Sequence, residues 1–153
     1  MELKEKELEN KLSTFNNCCR QKQLKITPQR VEVYKALIAC SDHPSAEMVY
    51  KKVKKNLPNI SLDTVNRTLN TLSLIGAAFV VEGSGDVKRF DGNLESHQHL
   101  RCVRCKKIFD FYYESFETIK VPENLGHSFK ILKTTVYVEG HCQTCLEQEN
   151  KNK

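Results

Sequence analysis

Four of the seven cysteines stand in two pairs with the spacing of a metal site. Two residues separate the cysteines of each pair, so both thiolates can reach one ion from a tight turn, and two pairs complete a tetrahedral shell. Because four sulfur ligands leave no open position for water, such a site is structural rather than catalytic. The spacing predicts a structural Zn²⁺ site, although disulfides or idle thiols would share it. The predicted ligands are Cys102, Cys105, Cys142 and Cys145.

A second set of candidate ligands consists of histidines and aspartates. His97 and His99 lie two residues apart, so on a strand both imidazoles face the same side and form half of a metal site. Asp91 precedes them and Asp110 follows the first cysteine pair, so both carboxylates can converge there, and His43 is the remaining candidate. Each of these residues alone is more typical of a polar surface. Only the cluster indicates a second metal site.

The elements that must position these residues begin with helices. Apolar residues at helical spacing predict four of them in the N-terminal half. Three begin at recognisable caps, namely Thr27 followed by Pro28, then Ser45, then Ser61, and the last helix stops at Gly76. The first helix carries the apolar stripe Leu8, Leu12, Phe15 and Cys19.

Two short apolar runs, Ala77–Val81 and Val87–Phe90, flank a turn and predict a β-hairpin. Helices followed by a hairpin are the outline of a winged helix, whose last helix lies in the major groove. A helical bundle with a β-flap gives the same pattern. The later residues predict a β-rich half with a short helix near residues 115–120 and a frayed tail over 147–153. Its predicted strands are His99–Cys102, Lys107–Tyr112 and Ser128–Glu139.

The composition is that of an ordinary soluble protein. A chain of 153 residues forms one domain or two small ones, and no stretch approaches the ~20 apolar residues that span a bilayer. The charged N-terminus predicts no secretory signal, so we expect a cytoplasmic protein with reduced cysteines and no membrane partner. Of the net charge of +5, residues 1–92 carry +4. This charge favours an anionic partner such as nucleic acid, and a solvated basic face fits it equally well.

Six motifs occur in one order along the chain and together resemble the ferric uptake regulator family over about residues 12–146. The family consists of homodimeric, metal-dependent bacterial repressors, so the resemblance implies operator double-stranded DNA and a second copy as partners, and no enzymatic activity. It also implies an α+β fold, with a winged-helix DNA-binding domain over residues 1–92 and an α/β dimerisation domain over residues 93–153. The motifs are Thr27-Pro28-Gln29-Arg30, His43-Pro44-Ser45-Ala46, Thr64-Val65-Asn66-Arg67-Thr68-Leu69, His97-Gln98-His99 and the two cysteine pairs.

Within the family the chain looks most similar to the peroxide-sensing branch. The resemblance makes the five His and Asp residues the ligands of a regulatory Fe²⁺ or Mn²⁺, and Asp110 points to that branch because iron-uptake members more often have Glu there. It also implies that peroxide reacting at Fe²⁺ oxidises His43 or His97. An iron- or zinc-responsive uptake repressor remains the alternative, and Cys18, Cys19 and Cys40 leave a thiol sensor open.

The resemblance further implies contacts with DNA. Lys25 matches a lysine that enters the minor groove, and Asn66-Arg67 matches a Tyr-Arg pair on the recognition helix, whose same face carries Thr64. Asn in place of Tyr removes an aromatic contact to thymine methyls and supplies an amide for an adenine edge.

Two rival functions from other classes explain less of the sequence. A zinc enzyme would need an open metal position and a base such as the Glu of HExxH or HxE, and neither motif is present. A zinc-ribbon nucleic-acid or protein adaptor would explain the four cysteines but not the His and Asp set.

Overall fold

A computed structural model describes residues 2–83, 85, 87–132 and 134–152. They form two compact units, Met1–Val81 with Asp86–Leu94, and Glu82–Gly85 with Glu95–Lys153. No helix in these described ranges is long and apolar enough to cross a membrane. The elements are α1 (Glu2–Gln21), α2 (Pro28–Ile38), α3 (Ala46–Val53), α4 (Leu62–Leu74), β1 (Phe79–Val80), β2 (Phe90–Asp91), β3 (Gln98–Cys102), β4 (Ile108–Phe111), the 3₁₀ helix Glu114–Phe116, α5 (Glu123–Gly126), β5 (Tyr137–Gly140) and α6 (Gln143–Lys151). The predicted α+β class is confirmed.

The helices of the first unit begin at the predicted caps. The side-chain oxygens of Thr27, Ser45 and Ser61 each accept the main-chain N–H three residues later, at 3.3, 3.3 and 3.0 Å. Each bond satisfies an N–H group that has no partner within the first helical turn. After α4, Gly76 adopts a φ of +80°, a left-handed conformation that ends helices and suits glycine.

The core of the first unit holds α4 in place and leaves its opposite face exposed. The Phe15 ring of α1 stacks on Tyr34 of α2 with centroids 4.8 Å apart, and the Tyr34 hydroxyl donates to the Lys11 carbonyl at 3.0 Å. α4 contributes Val65, Leu69 and Leu72 to this core, and β2 contributes Phe90.

The predicted hairpin is present but its ladder is shorter than the two apolar runs. β1 and β2 pair antiparallel, with Phe79 opposite Asp91 and Val80 opposite Phe90. Ala77 and Ala78 are buried in the core ahead of the ladder, which explains the longer apolar run in the sequence. Ser84 and Asp86 of the predicted turn lie outside the described residues.

The second unit contains a three-stranded sheet in the order β4-β3-β5, in which β3 pairs antiparallel with β4 and parallel with β5. The first two strands confirm the prediction, but a strand over Ser128–Glu139 is wrong for most of its length. β5 begins only at Tyr137, because a strand needs a partner edge and β3 offers five residues. Phe129 and Leu132 are apolar but 69% and 85% exposed, so the apolar residues in this part of the chain lie at the surface and not in a buried strand.

Two further predictions for this half differ from the structure. The short helix predicted near residues 115–120 is present in part, as the 3₁₀ helix Glu114–Phe116, and the next helix, α5, starts after Pro122. The tail predicted to fray is the helix α6 as far as Lys151. Two interactions stabilise this helix despite its charged composition. Cys145 is buried in the first turn, and the Gln143 amide donates to Glu147 at 2.9 Å.

Candidate metal sites and DNA-binding surface

The four cysteines of the two pairs form one cluster in the second unit. Cys102 ends β3, Cys105 lies in the following turn, and Cys142 and Cys145 flank the start of α6. Their sulfurs all lie within 4.8 Å of one another, with Cys102–Cys145 at 3.8 Å and Cys105–Cys142 at 3.7 Å. A disulfide would need ~2.05 Å. Zn–S bonds of ~2.3 Å give a tetrahedron with edges of ~3.8 Å, so the spacing fits zinc.

The backbone around this cluster favours charged sulfur. The main-chain N–H groups of Cys105 and Cys142 point at Cys102 Sγ, with nitrogens 3.5 and 3.4 Å away, and hold the pKa of the Cys102 thiol at about 5. Lys106 has a φ of +62°, which closes the turn. Burial instead raises the pKa of Cys145 to about 12. A divalent cation supplies the charge that stabilises the remaining thiolates.

His99 and Asp110 of the sheet, with His97 directly before β3, form a metal half-site in the second unit. The β3–β4 register places His99 directly opposite Asp110, and their Nε2 and Oδ1 atoms lie 3.4 Å apart. His97 Nε2 is 3.1 Å from His99 Nε2 and 3.7 Å from the same Asp110 oxygen. His97 Nδ1 lies 2.7 Å from the Glu95 carbonyl, a contact that fixes the proton on Nδ1 and leaves Nε2 as the ligand atom.

His43 and Asp91 form a second half-site within the first unit. His43 Nε2 lies 3.4 Å from Asp91 Oδ2, and both side chains are more than nine-tenths buried. The other carboxylate oxygen of Asp91 accepts the Asn93 N–H at 2.8 Å, which fixes the carboxylate. A neutral imidazole and a carboxylate are ligands for Fe²⁺, Mn²⁺ or Zn²⁺, and ligand type alone does not choose among these ions.

Arg89, directly before β2, and Phe90, the first residue of β2, hold the connection that carries His43. His43 has a φ of +50°, a conformation that L residues seldom adopt, so the surrounding contacts must maintain it. Arg89 donates through Nε to the His43 carbonyl and through Nη2 to the Asp42 carbonyl at 3.0 Å. The Phe90 N–H donates to the Pro44 carbonyl at 3.0 Å. Arg89 is not predictable from the sequence, because contacts across 46 residues leave no local pattern.

The exposed face of α4 carries the predicted DNA-contacting residues. Asn66 and Arg67 are exposed and Thr64 is half-buried, while Arg67 pairs with Asp63 one turn earlier at 3.0 Å and stays 75% exposed. Thr64 and Arg67 line a groove with Thr27 and Arg30 from the start of α2. Lys25 lies exposed between α1 and α2, and its carbonyl accepts a hydrogen bond from the Arg30 guanidinium.

Comparison with known proteins gives one consistent result. The sequence model of the ferric uptake regulator family matches residues 21–139. The peroxide-responsive repressor of Staphylococcus aureus is 30% identical over 94% of this chain and 95% of its own, and that of Staphylococcus epidermidis is 29% identical over 94% and 93%. The ferric uptake regulator of Helicobacter pylori is similar in structure, with a TM-score of 0.71 and 26% identity over 91% of this chain and 93% of its own.

Replacing Cys102 by Ser tests the structural role of the cysteine cluster. The variant should lose its zinc, from about one ion per chain to almost none, and the amides of β3 should lose protection from hydrogen exchange, because binding and folding of such sites are linked. Elemental analysis and amide exchange measure the two effects. Cys40→Ser, which removes a thiol outside the cluster, is the control and should retain both. A folded Cys102→Ser protein with protected β3 amides and no zinc would contradict the structural role.

Proposed function

The chain belongs to the ferric uptake regulator family, and on that premise we propose that it represses transcription as a homodimer bound to operator DNA and responds to peroxide. At the family level it is a metal-responsive repressor, and the family consists of regulators rather than enzymes. A zinc-ribbon adaptor is thereby excluded. A repressor has to reach the bacterial chromosome, so we propose a cytoplasmic location.

We assign DNA binding to residues 1–92 and dimerisation to residues 93–153. The basic charge lies mostly in the first range, where α4 presents Asn66 and Arg67 to solvent. In the second range, apolar side chains are exposed on all three strands, including Leu100, Phe109 and Val138. An exposed apolar sheet is what a second copy of the chain would cover.

The proposal of a regulatory metal site rests mainly on the cluster of His97, His99 and Asp110. Its ligand atoms lie 3.1–3.7 Å apart, two of them on β3 and β4 and one directly before β3, yet three protein ligands do not fill the coordination shell of Fe²⁺ or Mn²⁺. We propose that His43 and Asp91 complete a shell of five around one Fe²⁺ or Mn²⁺. An ion that takes ligands from both units restrains their orientation and so sets the spacing of two recognition helices in a dimer.

Peroxide sensing is proposed for the same shell. When bound, Fe²⁺ supplies the redox chemistry that oxidises a neighbouring imidazole, which Mn²⁺ and Zn²⁺ do not supply. The side chains of His43 and His97 are only 3% and 9% exposed, whereas that of Asp110 is 42% exposed. A small oxidant therefore has access from the Asp110 side, and His43 and His97 are the proposed oxidation sites. Support comes from the two relatives named as peroxide-responsive repressors.

The role of α4 is tested by Arg67→Ala. Loss of the guanidinium should weaken binding to an operator selected from random DNA by roughly 1–3 kcal/mol. Binding by the unmodified protein should also fall steeply with salt, through release of counterions. Lys4→Ala, which removes an exposed charge of α1, serves as the matched control in a fluorescence-anisotropy titration. Equal operator affinities of the Arg67→Ala and Lys4→Ala proteins would remove α4 from its proposed role.

The peroxide response is tested by Asp110→Glu. Glu is one methylene longer and alters the open side of the shell, so the variant should still bind metal and operator but release DNA poorly when peroxide is added. Mass spectrometry of the unmodified Fe²⁺ protein after mild peroxide should find one added oxygen on peptides containing His43 or His97, with the Mn²⁺ protein as control.

Two outcomes of this experiment would contradict peroxide sensing by histidine oxidation. Added oxygen on cysteines alone would make the sensor a thiol. Release from DNA without oxidation of any residue would make the protein a sensor of metal level, as in an iron- or zinc-responsive uptake repressor.

A further inference from the structure

We propose that Asn70 and Lys88 determine the base preference of α4 by fixing the direction of the Asn66 amide. The inference rests on the proposed function, in which α4 lies in the major groove. It assigns a positioning role to two residues that the sequence motifs do not single out, one on α4 and one just before β2.

The three side chains form a chain of hydrogen bonds on the exposed face of the first unit. Lys88 Nζ donates to Asn70 Oδ1 at 3.1 Å. Asn70 Nδ2 donates to the Asn66 carbonyl at 2.8 Å and lies 3.5 Å from Asn66 Oδ1, at the outer limit of a hydrogen bond. Asn66 and Asn70 are one helical turn apart, so their side chains share a face of α4. All three also line one groove, which is separate from the groove lined by Thr64 and Arg67.

The chain of bonds has one possible direction because a lysine ammonium only donates. Lys88 therefore selects the oxygen end of the Asn70 amide, and the Asn70 nitrogen is turned towards Asn66. A donor beside Asn66 favours its Oδ1 on that side and leaves its Nδ2 directed outwards. The Asn66 amide thus presents a fixed donor with its oxygen alongside, the arrangement that pairs with N7 and the N6 amino group of adenine.

Without Lys88, the Asn70 amide keeps its bond to the Asn66 main-chain carbonyl but loses the bond that holds its oxygen end. Asn70 then restrains the Asn66 side chain less, because the contact between Asn70 Nδ2 and Asn66 Oδ1 is already 3.5 Å long. An amide that turns by half a revolution exchanges donor and acceptor while keeping its shape, so the Asn66 amide would present its donor to the base in one orientation and its acceptor in the other. A site that reads both patterns discriminates poorly between bases, although its overall affinity changes little.

A phosphate contact from Lys88 is the competing role, and it predicts a different result. Loss of a phosphate contact weakens binding to all sequences about equally and reduces the salt dependence by about one counterion. Loss of a positioning contact lowers discrimination at one base pair. The ratio of affinities for different bases therefore separates the two roles.

The test starts from an operator selected by the unmodified, metal-loaded protein from random DNA. The base pair that Asn66 contacts is the one at which Asn66→Ala loses preference. Affinities for all four base pairs at that position are then measured for the unmodified protein, Lys88→Met, Lys88→Arg and Asn70→Leu. A well-formed amide–base contact is worth about 5- to 150-fold in discrimination. We expect Lys88→Met and Asn70→Leu to lose most of that ratio, and Lys88→Arg, which keeps a donor, to retain it.

The outcomes separate the inference from the proposed function. If the unmodified protein selects an operator and Lys88→Met binds all sequences more weakly with an unchanged ratio, the positioning role is overturned and the DNA-binding function stands. If no base pair loses preference in Asn66→Ala, the positioning role is likewise overturned. If the unmodified protein selects no sequence at all, the proposed function fails and this inference fails with it. Circular dichroism checks the folding of each variant.

Discussion

Four consecutive residues, Lys88 to Asp91, contact α4, the core and the connection that carries His43. Lys88 donates to Asn70 on α4, Arg89 holds the carbonyls of the connection that carries His43, and the Phe90 side chain fills the core. Asp91 ends the segment 3.4 Å from the His43 imidazole. Successive side chains of an extended chain point to opposite sides, so this short segment can contact both α4 and the His43 connection. Displacement of the segment would disturb the exposed face of α4 and the His43–Asp91 pair together.

In the second unit, β3 carries residues of both candidate metal sites. Its five residues include His99, which faces Asp110 across the ladder, and Cys102, whose sulfur belongs to the cysteine cluster. The parallel partner β5 leads directly into Cys142 and α6. A zinc ion bound by Cys102 and Cys105 would hold the turn between β3 and β4, and with it the register in which His99 and Asp110 meet. On the proposed assignment, the cysteine site thereby supports the geometry of the His97–His99–Asp110 cluster, because ligand geometry depends on the surrounding shell.

The sequence predicts those features whose causes are local. Each N-cap depends on a hydroxyl and an N–H three residues later, so Ser45 and Ser61 are visible without the fold. The cysteine spacing is visible for the same reason. The strand predicted over residues 128–139 is too long because an apolar sequence does not reveal how many residues a neighbouring strand offers for pairing. The helix α6 is not predicted because its composition is charged and its one buried residue is a cysteine. Arg89 depends on contacts 46 and 47 residues away, which no local pattern encodes.

In the proposed mechanism, a regulatory ion switches operator binding and peroxide acts through iron. The most direct measurement is the operator affinity of the zinc-containing protein with no further metal, with Mn²⁺ and with Fe²⁺, each with and without peroxide. We expect tight binding by both metal-loaded forms, weak binding by the form without added metal, and release by peroxide of the Fe²⁺ form only. Equal affinity without the regulatory metal, or release of the Mn²⁺ form by peroxide, would contradict the proposed mechanism.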